Sequence, residues 1–139
     1  MLLGRITYDQ MASFWPTPQA MQMMPDVAKA MNSMTKIVFS RSMKKAEWSN
    51  TKVMKGDLAD EVRKLKKGDQ DMVILGSGTI VSQLTQARLI DEYQLVVNPI
   101  ILGKGRTMFE GVKDKLTLKR TKTRNFKNGN VVLSYVPVA

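Results

Sequence analysis

Met72-Val73-Ile74-Leu75 runs directly into Gly76-Ser77-Gly78-Thr79, and Ile80, Leu84 and Ala87 follow on one helical face. Four apolar residues closed by a glycine turn, with a helix behind them, read as a buried strand. Such a strand needs cover on both faces, which a parallel sheet flanked by helices supplies. The same order recurs along the chain. Leu2-Leu3 ends at Gly4-Arg5-Ile6-Thr7, where Thr7 is placed to cap a helix carrying Tyr8, Met11 and Ala12 on one face. Lys36-Ile37-Val38-Phe39 ends at Ser40-Arg41-Ser42, and Thr51–Met54 is a weaker strand. Gly56-Asp57 opens a helix with Asp57 as its cap. Asp60 and Glu61 lie in its first turn, Lys66 and Lys67 in its last, and Leu58, Val62 and Leu65 form its apolar stripe. Gly68 ends it.

Between the first two strands, Phe14-Trp15-Pro16-Thr17-Pro18 stops the first helix, and a short helix is expected between Pro25 and Met34. Met21, Met23, Met24, Met31 and Met34 read as soft core filler. Trp15 and Trp48 read as packing residues. Residues 92–97 give another strand, ended by Asn98-Pro99, and Leu102-Gly103-Lys104-Gly105 reads as a loop. A hairpin closes the chain, with strands at about 117–126 and 131–136 around an Asn128-Gly129 turn. The 139 residues show no linker or repeat, so one domain over 1–139 is expected. Its class is α/β: a mostly parallel sheet flanked by helices, with an antiparallel C-terminal hairpin.

The chain has no Cys and no His. Disulfides, thiolate chemistry and a Ser-His-Asp triad are excluded, and an ordinary zinc enzyme is disfavoured, so no metal is expected. Acid-base work falls to Asp, Glu, Lys, Tyr or water, or the hard chemistry belongs to a bound cofactor. Asp91-Glu92 makes a poor dyad, because neighbours on a strand point to opposite faces; surface pairing suits it better. No segment resembles a signal peptide, and no apolar run approaches the roughly 18–20 residues of a membrane helix. A cytoplasmic protein without membrane partners is expected.

Lys and Arg outnumber Asp and Glu by 22 to 12, for a net charge of +10. An anionic partner follows: a nucleotide, a phosphorylated metabolite or nucleic acid. Arg120, Lys122 and Arg124 alternate with Thr121, Thr123 and Asn125, as on a solvated edge strand. No RNP-type aromatic motif or recognition helix accompanies them, so no nucleic-acid partner is expected.

Three turns at strand ends suit phosphate: Gly4-Arg5-Ile6-Thr7, Ser40-Arg41 and Gly76-Ser77-Gly78-Thr79. Glycine lets backbone amides approach phosphate oxygens, and the following helix offers unpaired N–H groups. Arg5 and Arg41 add charged forks. Val81 stands where a third glycine would complete G-x-G-x-x-G, and no G-x-x-x-x-G-K-[ST] sequence is present. Together the turns point to a dinucleotide with a further phosphate.

The turns also carry a resemblance. Gly4-Arg5-Ile6-Thr7-Tyr8, Val38-Phe39-Ser40-Arg41, Ile74-Leu75-Gly76-Ser77-Gly78 and Asp91-Glu92-Tyr93 stand in the order of the dihydrofolate reductase superfamily. Pro99-Ile100-Ile101-Leu102-Gly103-Lys104-Gly105, with Phe109, is closer to one branch, the C-terminal reductase domain of the bifunctional riboflavin-biosynthesis deaminase/reductase and its stand-alone relatives. The resemblance implies an NADPH-dependent reductase passing hydride to a small heterocycle, a pterin or a ribosylamino-pyrimidine. It implies that Gly4, Arg5 and Thr7 hold cofactor phosphate, that Ser40 and Arg41 receive the adenosine 2′-phosphate, and that Gly76, Ser77, Gly78, Thr79 and Ile80 form the pyrophosphate turn. The loop at Gly103 and Gly105 would border the substrate pocket, and Tyr8 would pack under the cofactor site. The family's first strand and the carboxylate near its substrate have no counterpart here, so no catalytic acid is carried over. Strands 72–75 and 93–97 would then have open edges, and a homodimer that completes the sheet is expected. The alternative is a non-catalytic member of the same fold that binds cofactor or oligomerises.

Overall fold

Three short strands lie parallel in the order β1 (Leu2–Gly4), β2 (Lys36–Phe39) and β3 (Thr51–Met54), in a computed structural model that describes residues 1–139. Their register sets Gly4, Phe39 and Met54 level at the carboxyl edge. Helices α1 (Arg5–Phe14), α2 (Pro18–Met23) and α3 (Pro25–Ser33) connect β1 to β2, and α4 (Leu58–Leu65) follows β3. After α5 (Gly78–Gln86) the chain forms a second, antiparallel sheet of β4 (Tyr93–Val97), β5 (Leu118–Asn125) and β6 (Val131–Pro137), ordered β4-β6-β5. The α/β reading holds, with a parallel part flanked by helices and an antiparallel C-terminal part. The last strand of the strand–helix alternation, β4, pairs with the hairpin.

Side-chain alternation along β1 and β2 feeds two cores. Leu3 and Val38 join Met1, Tyr8, Met31, Met43 and Trp48 on one face. Leu2 joins Val62, Ile80 and Leu84 on the other, with Ile37 and Phe39 beside them. No residue of β4, β5 or β6 belongs to either cluster.

Several expectations change. Gly4, with extended backbone, is the N-cap of α1, so Thr7 sits inside the first turn and caps nothing. The prolines that end α1 also start α2: Pro18 is its first residue, and the Thr17 hydroxyl accepts from the Ala20 amide at 3.3 Å. Met31 is buried and Met34 packs against its cluster, but Met21, Met23 and Met24 are exposed, because α2 buries Ala20 instead. Residues 72–75 do not form a regular strand. Leu2 donates to the Val73 carbonyl at 2.8 Å and bridges Ile74, while Val73 and Leu75 are 40% and 41% exposed. With β1 on one side and no strand on the other, a ladder does not develop. Asp91 takes an ion pair from Lys66 at 2.6 Å, and Glu92 accepts from Gln94, as surface pairing requires.

The most unusual core residue is Lys36, fully buried at the start of β2. Its ammonium donates to the carbonyls of Met34 at 2.7 Å, Met31 at 2.9 Å and Asn32 at 3.3 Å. These carbonyls end α3, so the cation also meets the negative pole of that helix. The Trp48 ring lies 4.2 Å below it. Trp48 is itself fixed, donating its indole N–H to Asn32 at 2.7 Å and its amide to the Tyr8 hydroxyl at 3.0 Å.

Burial pushes the Lys36 ammonium below its ordinary value of 10.5. The unfolded chain therefore holds this proton more tightly than the native one. Native stability rises with pH from the lowered value toward 10.5, and this contribution is lost as pH falls back through the lowered value. K36M leaves the carbonyls of Met31 and Met34 without a donor, while Asn32 keeps Asn50 at 3.0 Å, and is expected to cost about 1–3 kcal/mol at neutral pH. It should also abolish the rise at alkaline pH. Urea unfolding of both proteins across that range checks both effects.

Candidate functional site

A cleft of about 870 Å³ opens at the carboxyl edge of the parallel strands. Ligands bind at this edge in open α/β sheets, because loops there diverge and helices begin there. The level ends of β1, β2 and β3 deliver Arg5, Ser40 and Lys55 side by side. All three phosphate-suited turns converge. Gly4, Arg5 and Thr7 line one wall, Ser40 and Arg41 the next, and Gly76, Ser77, Gly78, Thr79 and Ile80 the third.

Three helices start at this cleft, but only two keep their amides open. At α4 the Asp57 carboxylate accepts from the Asp60 amide at 3.0 Å, and Asp60 and Glu61 add negative charge. At α5 the first intrahelical bond runs from Val81 to Ser77, leaving the first-turn amides of Gly78, Thr79 and Ile80 unpaired. The first turn of α1 likewise carries no acidic residue and no side-chain cap. An anion is therefore favoured between α1 and α5.

Glycine makes the approach possible. A Cβ on Gly4 would meet Ile80 at 3.4 Å, so the α1 and α5 turns pack closely here. Gly76 has a φ of +67° and open space where a side chain would lie. Such a cradle fits phosphate oxygens against bare backbone.

The arginines differ. Arg5 donates to the Ser42 hydroxyl at 2.6 Å and approaches Asp9 at 3.7 Å. Ser40 accepts from the Met43 amide at 3.1 Å, which holds the 40–43 turn closed. Arg41 is exposed and has no ion-pair partner. Lys55 and the 106–108 segment also line the cleft and were not singled out in the sequence, and Asp57, expected only as a helix cap, lines it with them. Lys55 was findable, since it follows the third parallel strand. Arg106 was not, because its loop has no periodic signal. Tyr8 packs in the core and faces a neighbouring hollow instead, and Gly103 and Gly105 lie outside the cleft.

Two basic turns, two open helix ends and a bare glycine cradle in one cleft can hold an extended ligand with separated phosphate groups. The volume falls within the roughly 300–1,000 Å³ of small-molecule and cofactor sites.

Comparison with known proteins bears on family and fold. The RibD C-terminal domain family model matches residues 1–132. The uncharacterized protein YyaP of Bacillus subtilis (strain 168) is 31% identical over 137 residues, spanning 97% of this chain and 72% of that protein. A proposed riboflavin biosynthesis protein from Shewanella sp. PV-4 shares the fold, with a TM-score of 0.78 and 24% identity over 99% of this chain and 73% of its own. A pyrimidine reductase-like protein from Corynebacterium diphtheriae NCTC also shares it, with a TM-score of 0.61 and 11% identity over 99% of this chain and 75% of its own.

Gly76→Ala tests the cradle. Its Cβ meets no atom, so the cost is backbone strain alone, roughly 1–2 kcal/mol for a left-handed L residue. Thermal unfolding should show that loss with the fold unchanged by circular dichroism.

Proposed function

The chain belongs to the RibD C-terminal domain family, and on that premise we propose that it is an NADPH-dependent reductase acting on a small heterocycle of the pterin or ribosylamino-pyrimidine class. The observation that carries this reading is the convergence of the three phosphate-suited turns on one cleft, with α1 and α5 open and α4 closed. One fold neighbour is described as pyrimidine reductase-like and the other as a proposed riboflavin biosynthesis protein, which supports the substrate class.

In this reading Ser40 and Arg41 hold the adenosine 2′-phosphate, as a fork that carries no competing ion pair. Gly76 to Ile80 hold the pyrophosphate through backbone amides. Gly4, Arg5 and Thr7 close on it from α1. When bound, the cofactor supplies a hydride to a C=N or C=O carbon. The residues of this chain bind and orient it, and orientation is a large share of such catalysis. The two carboxylates of the cleft are engaged, Asp57 with the Asp60 amide and Glu110 beside Arg106 at 3.8 Å. That engagement favours one second reading, a non-catalytic cofactor-binding member. NADPH oxidation with candidate heterocycles separates the two.

The proposal includes a homodimer. The edge strand β4 carries no charge, and Val96 and Val97 are 56% and 53% exposed. The opposite edge, β5, carries Lys119, Arg120, Lys122 and Arg124, which block pairing with another chain. A reductase drawing on soluble NADPH acts in the cytoplasm; no helix here is long and apolar enough to cross a membrane.

Two measurements test these readings. Arg41→Ala should weaken NADPH by roughly 1.5–3 kcal/mol while leaving NADH nearly unchanged, the loss of one charge-assisted phosphate contact. Calorimetric titration with both dinucleotides decides it, and equal weakening would remove the 2′-phosphate assignment. Sedimentation should return a dimer mass, and a monomer mass at every concentration would rule the dimer out.

A further inference from the structure

We propose that one face of β5 is a binding surface for single-stranded nucleic acid, separate from the cleft. No nucleic-acid motif marks the chain; the placement of its charge points there. Residues 113–127 carry seven Lys or Arg against one Asp, so +6 of the net charge of +10 lies in this short stretch. All seven cations are exposed. None of them lines the cleft or the hollow beside it, and none is in an ion pair. The one carboxylate, Asp114, accepts from the Gln86 amide. A dinucleotide in the cleft therefore accounts for little of the excess charge.

The sheet sorts these cations. Simple alternation would put Arg120, Lys122 and Arg124 on one face. A bulge at Thr121 breaks it: Arg120 stands opposite Tyr135, yet Lys122 stands opposite Ser134. The Thr121 hydroxyl fastens the bulge by donating to the Ser134 carbonyl at 3.3 Å. Arg120 is thereby set on the face of Tyr135. Lys119, Lys122 and Arg124 share the other face, opposite Val136, Ser134 and Val132. Phe126 continues that row at the hairpin turn. It is 39% exposed, and the Arg124 guanidinium lies 4.6 Å from its ring centre. Its amide donates to the Asn130 carbonyl at 2.9 Å and its carbonyl accepts from the Gly129 amide at 3.0 Å, which fixes the ring's position.

A single file of cations ending in an aromatic ring fits one nucleic-acid strand. Lys122, Arg124 and Phe126 stand at alternate residues, about 6.8 Å apart. That interval suits successive phosphates of an extended strand, and Phe126 with Arg124 offers a plane on which a base stacks. A duplex is served poorly. None of the seven cations lies on a helix, and β6 is paired on both edges, so the hairpin is not free to enter a groove as a ribbon.

The test is fluorescence anisotropy of the intact chain with a labelled single-stranded RNA of mixed sequence and with its duplex, beside co-sedimentation with phosphatidylserine vesicles. Three phosphate contacts predict a log–log salt slope of about −2 for the single strand, roughly a 20-fold loss of affinity between about 50 and 200 mM salt. K122Q should make that slope shallower by about 0.7, while R120Q, an equal loss of charge on the opposite face, should leave it unchanged. F126L should weaken binding about 10-fold with the slope kept. All three variants should melt with wild type and bind NADPH as wild type does, and R41A should leave RNA affinity unchanged. Equal effects of K122Q and R120Q would reduce the surface to diffuse charge and overturn the proposal. So would no binding to the single strand, tighter binding to the duplex, binding to the vesicles alone, or loss of RNA in R41A, which would put the strand in the cleft. NADPH affinity, measured on the same proteins, judges the dinucleotide reading separately.

Discussion

Everything at the cleft depends on the register of three parallel strands. Gly4, Phe39 and Met54 stand opposite one another, so the next residues leave the sheet together. A slip of one residue in β2 would turn Val38 out of the core and move Ser40 and Arg41 away from Arg5. Lys36 holds this register from the other end. It is opposite Thr51, and its ammonium is tied to the last carbonyls of α3 and to Trp48. A buried cation with three acceptors and an aromatic face has one good position, whereas an apolar residue there could slide. The site is thus positioned by an interaction at the far edge of the sheet.

Charge then selects what the cleft can hold. A net charge of +10 attracts any anion. Geometry narrows that choice, because Asp57 neutralises the start of α4 while α1 and α5 keep their amides. In the proposed reading the ligand's charge lies along the line between these two helices, with a separate outlier at Arg41. A single phosphate satisfies one part of that pattern, and a dinucleotide with an additional phosphate satisfies all of it.

The parallel half was legible in the sequence because its signals are local. Asp57 as a cap, Gly68 as a stop and the apolar stripe of Val62 all follow from residues a few positions apart. The hairpin was legible for the same reason, through Asn128-Gly129. The turns at Gly4, Ser40 and Gly76 were found singly, and only the register shows that they meet. What failed was local pattern overridden by neighbours. Met72–Leu75 has the composition of a buried strand, but burial needs a partner on each edge, and composition cannot supply one. Thr7 looks like a cap, yet Gly4 can adopt the extended cap conformation three residues earlier. Pro16 and Pro18 were read as a stop alone, although proline at a first helical position starts a helix as readily as it ends one. Lys36 carried no signal, since a lysine at the start of a strand normally reads as solvated.

The two sheets divide the labour. Both buried clusters lie against β1 and β2, and the antiparallel sheet touches them chiefly through the turn after α5, where Leu89 and Ile90 pack. Tyr93 anchors β4 by donating to Thr85 at 3.0 Å and meeting Phe109 edge-on at 6.0 Å. The segment that reaches back to the cleft, Arg106 to Met108, immediately precedes Phe109. A ligand that engages Arg106 would therefore bear on the same contact that seats β4. In the proposed reading phosphate recognition belongs to the parallel half, and substrate selection falls to the segment that reaches the cleft from the antiparallel half. Loop variation of this kind lets one phosphate-binding frame serve different small molecules, because the frame's energy comes from backbone amides and strand register.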